Sequence, residues 1–325
     1  MKVQEFIIKI KETISKNFIN FSIWYFLIGI VVLSSLISNA FLNQSNLINI
    51  LRETVIVGVV GVGMTYIIVS GCFDLSAGAI LGLSAVISLT VNPIDTKSTL
   101  LAIFLPIIIG AIFGLMNGIL VGYLRMNAFI TTLGMQYLIL GITLLFTGGR
   151  HISVYECSDF FYKIGNGFIF GIPISVVILL ILVTIAQFIL SFTNLGKYIQ
   201  VVGENSKAAT LSGINVSRVR CNAYIILGIC ASIGGIILAS WIRMLDPQQG
   251  IGYEFSAITA TILGGASLSG GKGNVFNTFA GATLIILIVN SMMLVNISYN
   301  YQQMIRGIIM IAGVAVGIIY GKKEK

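Results

Sequence analysis

Few residues of this 325-residue chain have the type and spacing for chemistry, and the poorest class is acid–base: there is one histidine, His151. A catalytic base needs an orienting partner and a reacting group within reach, and His151 stands in a polar stretch that offers no convincing partner. The four cysteines, Cys72, Cys157, Cys221 and Cys230, are scattered without a CxxC pair, so neither a disulfide framework nor a metal cluster is expected. The nearest approach to a phosphate-cradling loop, Ala266-Ser-Leu-Ser-Gly-Gly-Lys272-Gly273, lacks the first glycine of GxxxxGK[ST] and has Gly273 where a hydroxyl would hold magnesium. The chain is therefore read as a non-enzyme with no metal and no cofactor. Two ionisable residues, Asp74 and Arg306, lie in or beside apolar runs. Asp74, just before Leu75-Ser76, can cap a helix N-terminus and meet the positive end of its dipole, while Arg306 can extend its head toward water. That is thin material for an ion-coupled carrier, which needs ionisable groups deep in the bilayer. Neutral polar side chains inside the apolar runs are more numerous: Ser76, Asn117, Thr131, Thr132, Gln136 and Asn290. With Asp74 they are the candidates for lining a path for a polar solute, and interhelical hydrogen bonding is the competing use.

The elements that must position these residues are set by composition. Hydrophobic residues make up 57% of the chain and charged ones 9%, far below the quarter that a water-exposed surface requires. Lipid is the expected solvent. Glycine is abundant at 36 and proline scarce at 4, which suits close packing of helices. The net charge of +8 reads as basic residues held at the cytoplasmic membrane face rather than as a nucleic-acid surface. Runs long enough to cross about 30 Å of hydrocarbon fall at Ser22–Ser38, Thr54–Gly71, Leu75–Val91, Thr99–Gly122, Ala128–Thr147, Ile172–Phe192, Asn222–Trp241, Glu254–Gly270, Asn274–Leu294 and Tyr301–Tyr320. The fold class is thus an all-α polytopic membrane protein with about ten transmembrane helices. The Gly-rich runs near Gly71 and Gly264 are candidates for broken or re-entrant helices.

An even number of spans puts both termini on one side. With the N-terminus inside, the inner segments hold more than twice as many lysines and arginines as the outer ones, which carry Arg52, Lys97, Arg150, Lys163 and Arg243. The expected orientation is N-in and C-in. The chain divides into a cytoplasmic segment 1–21, one transmembrane domain 22–321 and a basic tail 322–325, with a polar inner loop at 193–221. A short echo links Gly71-Cys-Phe-Asp-Leu-Ser-Ala-Gly78 with Gly264-Gly-Ala-Ser-Leu-Ser-Gly-Gly271. Matched helix breaks of this kind occur in transporters built from repeats.

The inner loop reads Gly203-Glu204-Asn205-Ser-Lys207-Ala208-Ala209-Thr-Leu-Ser212-Gly213-Ile214. This resembles the permease family of ribose-type sugar ABC importers, which carry G-x-N-x-x-A-A-x-x-S-G-I here. The likeness continues through Gly71–Gly78, Asn127-Ala-Phe-Ile-Thr-Thr-Leu-Gly134 and Gly252-Tyr-Glu254 to Gly264–Gly273, from about Phe41 to the C-terminus. The resemblance implies the ABC importer permease fold in a multi-pass protein of the bacterial cell membrane. It also implies a second permease subunit, identical or paralogous, cytoplasmic ABC ATPase subunits that hydrolyse ATP, and an extracytoplasmic sugar-binding protein. Gly203, Glu204, Asn205, Lys207, Ala208, Ala209, Ser212, Gly213 and Ile214 become the ATPase-coupling residues. Lys207–Gly213 suits a short helix ended by Gly213 at a left-handed cap, with small Ala208 and Ala209 seated against the ATPase. Arg150, Arg243 and Glu254 are the candidates for docking the binding protein on the outer face. Departures lie on that face: Trp241 stands where relatives often have arginine, and Glu254-Phe-Ser256 where they have Glu-Leu-Asp. The alternative reading is a stand-alone channel or an ion-coupled secondary transporter of a small polar solute.

Overall fold

Every apolar run of the sequence is a helix in the computed structural model, which describes residues 23–323. The cytoplasmic segment 1–21 and the last two residues of the basic tail lie outside the described residues. The helices are α1 (Ile23–Ile37), α2 (Gln44–Val69), α3 (Ala77–Thr90), α4 (Thr96–Gly118), α5 (Ala128–Thr147), α6 (Asp159–Asn166), α7 (Ile174–Phe192), α8 (Asn194–Glu204), α9 (Ser206–Leu211), α10 (Val216–Ile242), α11 (Tyr253–Leu263), α12 (Val275–Leu294) and α13 (Tyr299–Lys323). Among the described residues, six are long and apolar enough to cross a membrane: α2, α4 with its π-helical extension to Tyr123, α5, α7, α10 and α12. In two of the expected spans the helix is shorter than the apolar run. The run Leu75–Val91 is helical for 14 residues, and Glu254–Gly270 is helical only to Leu263. The glycines that follow Leu263 count as apolar in a hydropathy window, yet Gly265, Gly270 and Gly271 take positive φ, which ends the helix.

Burial divides the helices into two layers. α2, α10 and α12 are about two-thirds buried, whereas α4, α5 and α7 bury about one third. Inside them α3 is buried along its whole length from Ala77 to Leu89, as expected of a helix that is apolar on every face. The outer helices expose Phe104, Ile108 and Ile112 on α4, Ile130, Tyr137 and Leu145 on α5, and Ile181, Ile185 and Phe188 on α7. Those surfaces suit lipid or another subunit.

Helix association in lipid has no hydrophobic drive, so close backbone approach matters. α10 packs along α4 through a ladder of small residues, Gly110, Gly114 and Gly118. A Cβ added to Gly114 would lie 2.4 Å from the Tyr224 carbonyl oxygen, and one at Gly110 2.5 Å from that of Gly228. At one end of the bundle, β1 (Ile152–Ser153) pairs antiparallel with β4 (Met244–Leu245), and β2 (Phe168–Ile169) with β3 (Ile172–Pro173). Here Arg52 stacks on Phe168 and Arg243 on Tyr162.

Because the α4–α10 contact is backbone on backbone, Gly114→Val is expected to force the two helices apart. Thermal unfolding of the purified protein in detergent should show a loss of about 1–3 kcal/mol, the usual cost of overpacking. Gly141→Val, where an added Cβ meets nothing within 4 Å, is the neutral control.

Candidate functional site

The N-termini of the two short helices meet inside the bundle, and the sequence-expected path residues gather there. Asp74 precedes α3 and accepts hydrogen bonds at Oδ1 from the Ser76 backbone N–H (2.6 Å) and from Ser76 Oγ (2.7 Å). It thereby holds Ser76, the residue at the N-cap of α3. Asn117 of α4 donates from Nδ2 to Asp74 Oδ2 (3.2 Å) and to Ser76 Oγ (2.8 Å). The Leu75 N–H donates to Thr132 Oγ1 on α5 (3.0 Å), and Tyr224 of α10 donates to the Phe73 carbonyl (2.9 Å). Two backbone groups of the break, the Leu75 N–H and the Phe73 carbonyl, are thus held by neighbouring helices.

α11 starts in the same place. The segment after β4 enters the bundle, and Gly250 seats against Gly78 and Gly82 of α3, where an added Cβ would lie 2.1 Å from the Gly78 carbonyl oxygen. Glu254, in the first turn of α11, accepts from Gln136 Nε2 at Oε1 (3.0 Å) and from the Gly252 N–H at Oε2 (3.0 Å). A Cβ on Gly78 would collide with that carboxylate. Glu254 is 0% exposed, so it lies with the polar cluster and has no surface to offer a docking protein. Arg150 and Arg243 stay together at one end of the bundle, each next to a strand of the β1–β4 pair. The spacing Gly78-x-x-x-Gly82 was the signal in the sequence that a backbone would approach α3.

All members of the cluster are buried: Asp74, Ser76, Asn117, Thr131, Thr132, Gln136 and Glu254. Their mutual hydrogen bonds all come from neutral donors. Asn117 Oδ1 and Thr131 Oγ1 are buried with no hydrogen-bond partner, which leaves the cluster with unused polar capacity. Asn290 is not part of it. It exchanges two hydrogen bonds with Asn46 (3.1 and 2.8 Å) and ties α12 to the opposite end of α2.

The inner loop 193–221 is mostly helix. Thr193 caps α8, and Asn205 caps α9 by accepting from the Lys207 and Ala208 N–H groups (3.1 and 3.0 Å). α9 ends as its residues dictate: Gly213 takes φ +80°, its N–H bonds Thr210 O, and the Ile214 N–H bonds Ala209 O, each at 3.0 Å. The helix spans Ser206–Leu211, one residue earlier than the expected Lys207 start. Ala209 faces inward and is 0% exposed, so it cannot seat against a partner; Lys207 and Ala208 are exposed, and Leu211, which the sequence reading passed over, is 90% exposed. The C-terminal end of α8 is clamped at Gly203. A Cβ there would lie 1.8 Å from the Val69 carbonyl oxygen and 2.6 Å from the Gly271 nitrogen, and the Gly271 N–H donates to Val69 O at 2.8 Å. Gly71 also lies against Gly203. The two echoing segments, 71–78 and 264–271, thus touch through Gly203.

Spanning helices around a stitched pair of helix breaks, with a capped helical handle at one end, define a multi-pass membrane protein. Residues 46–314 match the family described as the permease component of branched-chain amino acid transport systems, and the chain belongs to that family. It is 34% identical over 300 residues to the ribose import permease protein of Haemophilus influenzae, covering 92% of this chain and 93% of that one. It is 36% identical over 287 residues to the ribose import permease protein of Bacillus subtilis, covering 88% of each. The D-allose transport system permease protein of Escherichia coli is 31% identical over 300 residues, 92% of this chain and 91% of its own. No solved structure matches the chain.

The Asp74 carboxylate generates a graded expectation. Asp74→Ala leaves the Ser76 N–H without an acceptor in a dry site and removes one of the two acceptors of Asn117, which costs about 1–3 kcal/mol. Asp74→Asn keeps an acceptor oxygen and should cost less. Thermal unfolding of both variants in detergent checks the order.

Proposed function

We propose that this chain forms half of the membrane path of an ATP-driven bacterial importer for a simple sugar or sugar-like solute. An extracytoplasmic binding protein delivers the solute, ATPase subunits on the cytoplasmic side supply the energy, and a second permease subunit completes the path. Relatives named for ribose and D-allose support the solute class. The observation that carries the reading is the handle: a short capped helix with an exposed apolar tip, joined through Gly203 to both helix breaks.

Ten spans with both termini inside remain the preferred topology. The helix found in each of the ten apolar runs supports it, as does the excess of lysines and arginines in the segments assigned to the inner side. In this arrangement the coupling residues Gly203, Glu204, Asn205, Lys207, Ala208, Ser212, Gly213 and Ile214 lie at the cytoplasmic face, with Leu211 as the tip that enters the ATPase. Ala209 acts by holding α9 to the bundle. Nucleotide-driven movement of α9 pulls on the ends of α2 and α8 and on the loop after α11, and the cluster at Asp74 and Glu254 opens. Asp74, Ser76, Asn117, Thr131, Thr132 and Gln136 then offer neutral donors and acceptors to solute hydroxyls. Buried as they are here, they form the closed neck of the path. Arg150 and Arg243 serve the binding protein on the outer face.

Ion coupling is the second reading, favoured by two carboxylates, Asp74 and Glu254, inside the bundle. Solute flux by this polypeptide alone in vesicles would support it over the importer.

Leu211→Asp tests the coupling. The side chain is exposed, so the protein should reach the membrane in normal amounts. An apolar anchor of this size contributes about 1.5–3 kcal/mol when buried, and uptake with its ATPase and binding-protein partners should fall at least tenfold. Normal uptake by that variant, or labelling of a cysteine at Ser212 only from outside the cell, would sink the assignment.

A further inference from the structure

A cavity of about 850 Å³ opens beside α9, between the starts of α5 and α10 and the segment Gly71–Phe73. Three cations line it, Arg125, Lys207 and Arg220, and no acidic residue does. Neither salt bridge among the described residues involves any of the three, and Arg220 Nε is buried without a hydrogen-bond partner. Like charges held at one place repel unless an anion joins them.

Backbone geometry adds to this field. α5 and α10 both present N-terminal residues to the cavity, Asn127 and Ala128 from one and Val216 and Ser217 from the other; the positive end of a long helix favours anions. The approach to α5 is itself strained. The last turn of the α4 helix is π-helical at Ile119–Tyr123, and Arg125 takes φ +56°, a conformation that costs a residue with a Cβ about 1–2 kcal/mol. Backbone strain of this kind concentrates at ligand sites. The remaining wall is apolar, with Phe73, Val121, Met126 and Phe129. Phe129 is 54% exposed and its neighbour Ile130 69%, so this wall runs on without interruption into the bare outer face of α5. A small soluble phosphate has no use for such a wall.

We infer that this cavity holds the headgroup of an anionic phospholipid, with the phosphate on Arg125, Lys207 and Arg220 and an acyl chain along Phe129 onto α5. Basic pockets between spanning helices recognise lipid headgroups in this way. Only the choice of leaflet, the cytoplasmic one, rests on the topology proposed above. Since Lys207 belongs to α9 while Arg125 and Arg220 belong to the ends of spanning helices, a bound lipid joins the handle to the bundle.

Native mass spectrometry of the purified full-length chain, titrated with phosphatidylglycerol, cardiolipin or phosphatidylcholine, tests the site without any transport measurement. Its outcome is therefore independent of whether the importer reading holds. Retention of the two anionic lipids over phosphatidylcholine is expected. The Arg125→Gln/Arg220→Gln variant should weaken that retention on the order of tenfold or more, since each cation near a membrane surface contributes roughly fivefold. Arg125→Lys, which keeps the charge, and Arg150→Gln, at the opposite end, should bind like the unaltered chain. Equal retention of all three lipids, or an undiminished preference in the double variant, overturns the inference. So does displacement of the lipid by millimolar inorganic phosphate, which makes this a site for soluble anions. Loss of the lipid when an ATPase subunit docks likewise overturns it and assigns the cations to that protein.

Discussion

A helix that begins inside an apolar bundle exposes N–H groups that lipid cannot satisfy, and this structure is organised around meeting that demand twice in one place. α3 and α11 both start within the protein, and the N–H of each N-cap residue, Ser76 and Gly252, is met by a carboxylate two residues away. Asp74 and Glu254 are thereby tied to the very backbone breaks that make them necessary. Burying an isolated carboxylate is prohibitive. Here the cost is offset by backbone N–H groups at helix N-termini, by Ser76, Asn117 and Gln136, and by the positive ends of the two helix dipoles. A network of this kind is stable only while its members stay together, since each bond it loses leaves a polar group dry.

Small residues determine which helices can come that close. Gly250 enters α3 at Gly78 and Gly82, and the Gly110, Gly114 and Gly118 ladder lets α4 bring Asn117 up to Asp74. Asn117 sits one residue before Gly118, whose missing Cβ would otherwise meet Cys221 Cα at 2.7 Å. The polar cluster and the close packing are therefore one feature: without the backbone contacts, the side chains that satisfy the breaks would not reach them.

Much of this was legible from residue types. The apolar runs gave the helices, Asp74 before Leu75-Ser76 gave an acid at the start of α3, and Gly213 gave the end of α9. What escaped was set by distance along the chain or by scale. Glu254 reads as an outer-face acid because the run it opens seems to start at a membrane boundary; its partner, Gln136, is 118 residues away. Asn290 looked like a path residue because its partner, Asn46, falls in a polar stretch that hydropathy treats as loop. That stretch is the first part of α2, which starts at Gln44 rather than Thr54 because contact with α12 holds it helical. In α9 there are too few turns for a period to show which side faces the bundle, so nothing showed that Ala209 faces inward while Leu211 is exposed. The burial of the polar cluster had no signal in the sequence, because burial belongs to the assembled bundle.

The junction at Gly203 has a mechanical consequence. α9 is six residues long, about 9 Å at 1.5 Å per residue, and is continuous with α8 through a single residue, Asn205. Side chains between a lever and its load absorb small displacements by changing rotamer. Between α8 and the helix breaks no side chain intervenes: the Gly203 backbone lies directly on Val69 and Gly271, which are bonded to each other. Any shift of the C-terminal end of α8 would therefore act on the end of α2 and the loop after α11 through backbone contacts. Both lead into the same buried cluster, from α2 through Gly71 to Asp74 and from α11 back to Glu254. Backbone contact at one end and a cooperative polar network at the other make two alternative states easier to hold than a continuum between them.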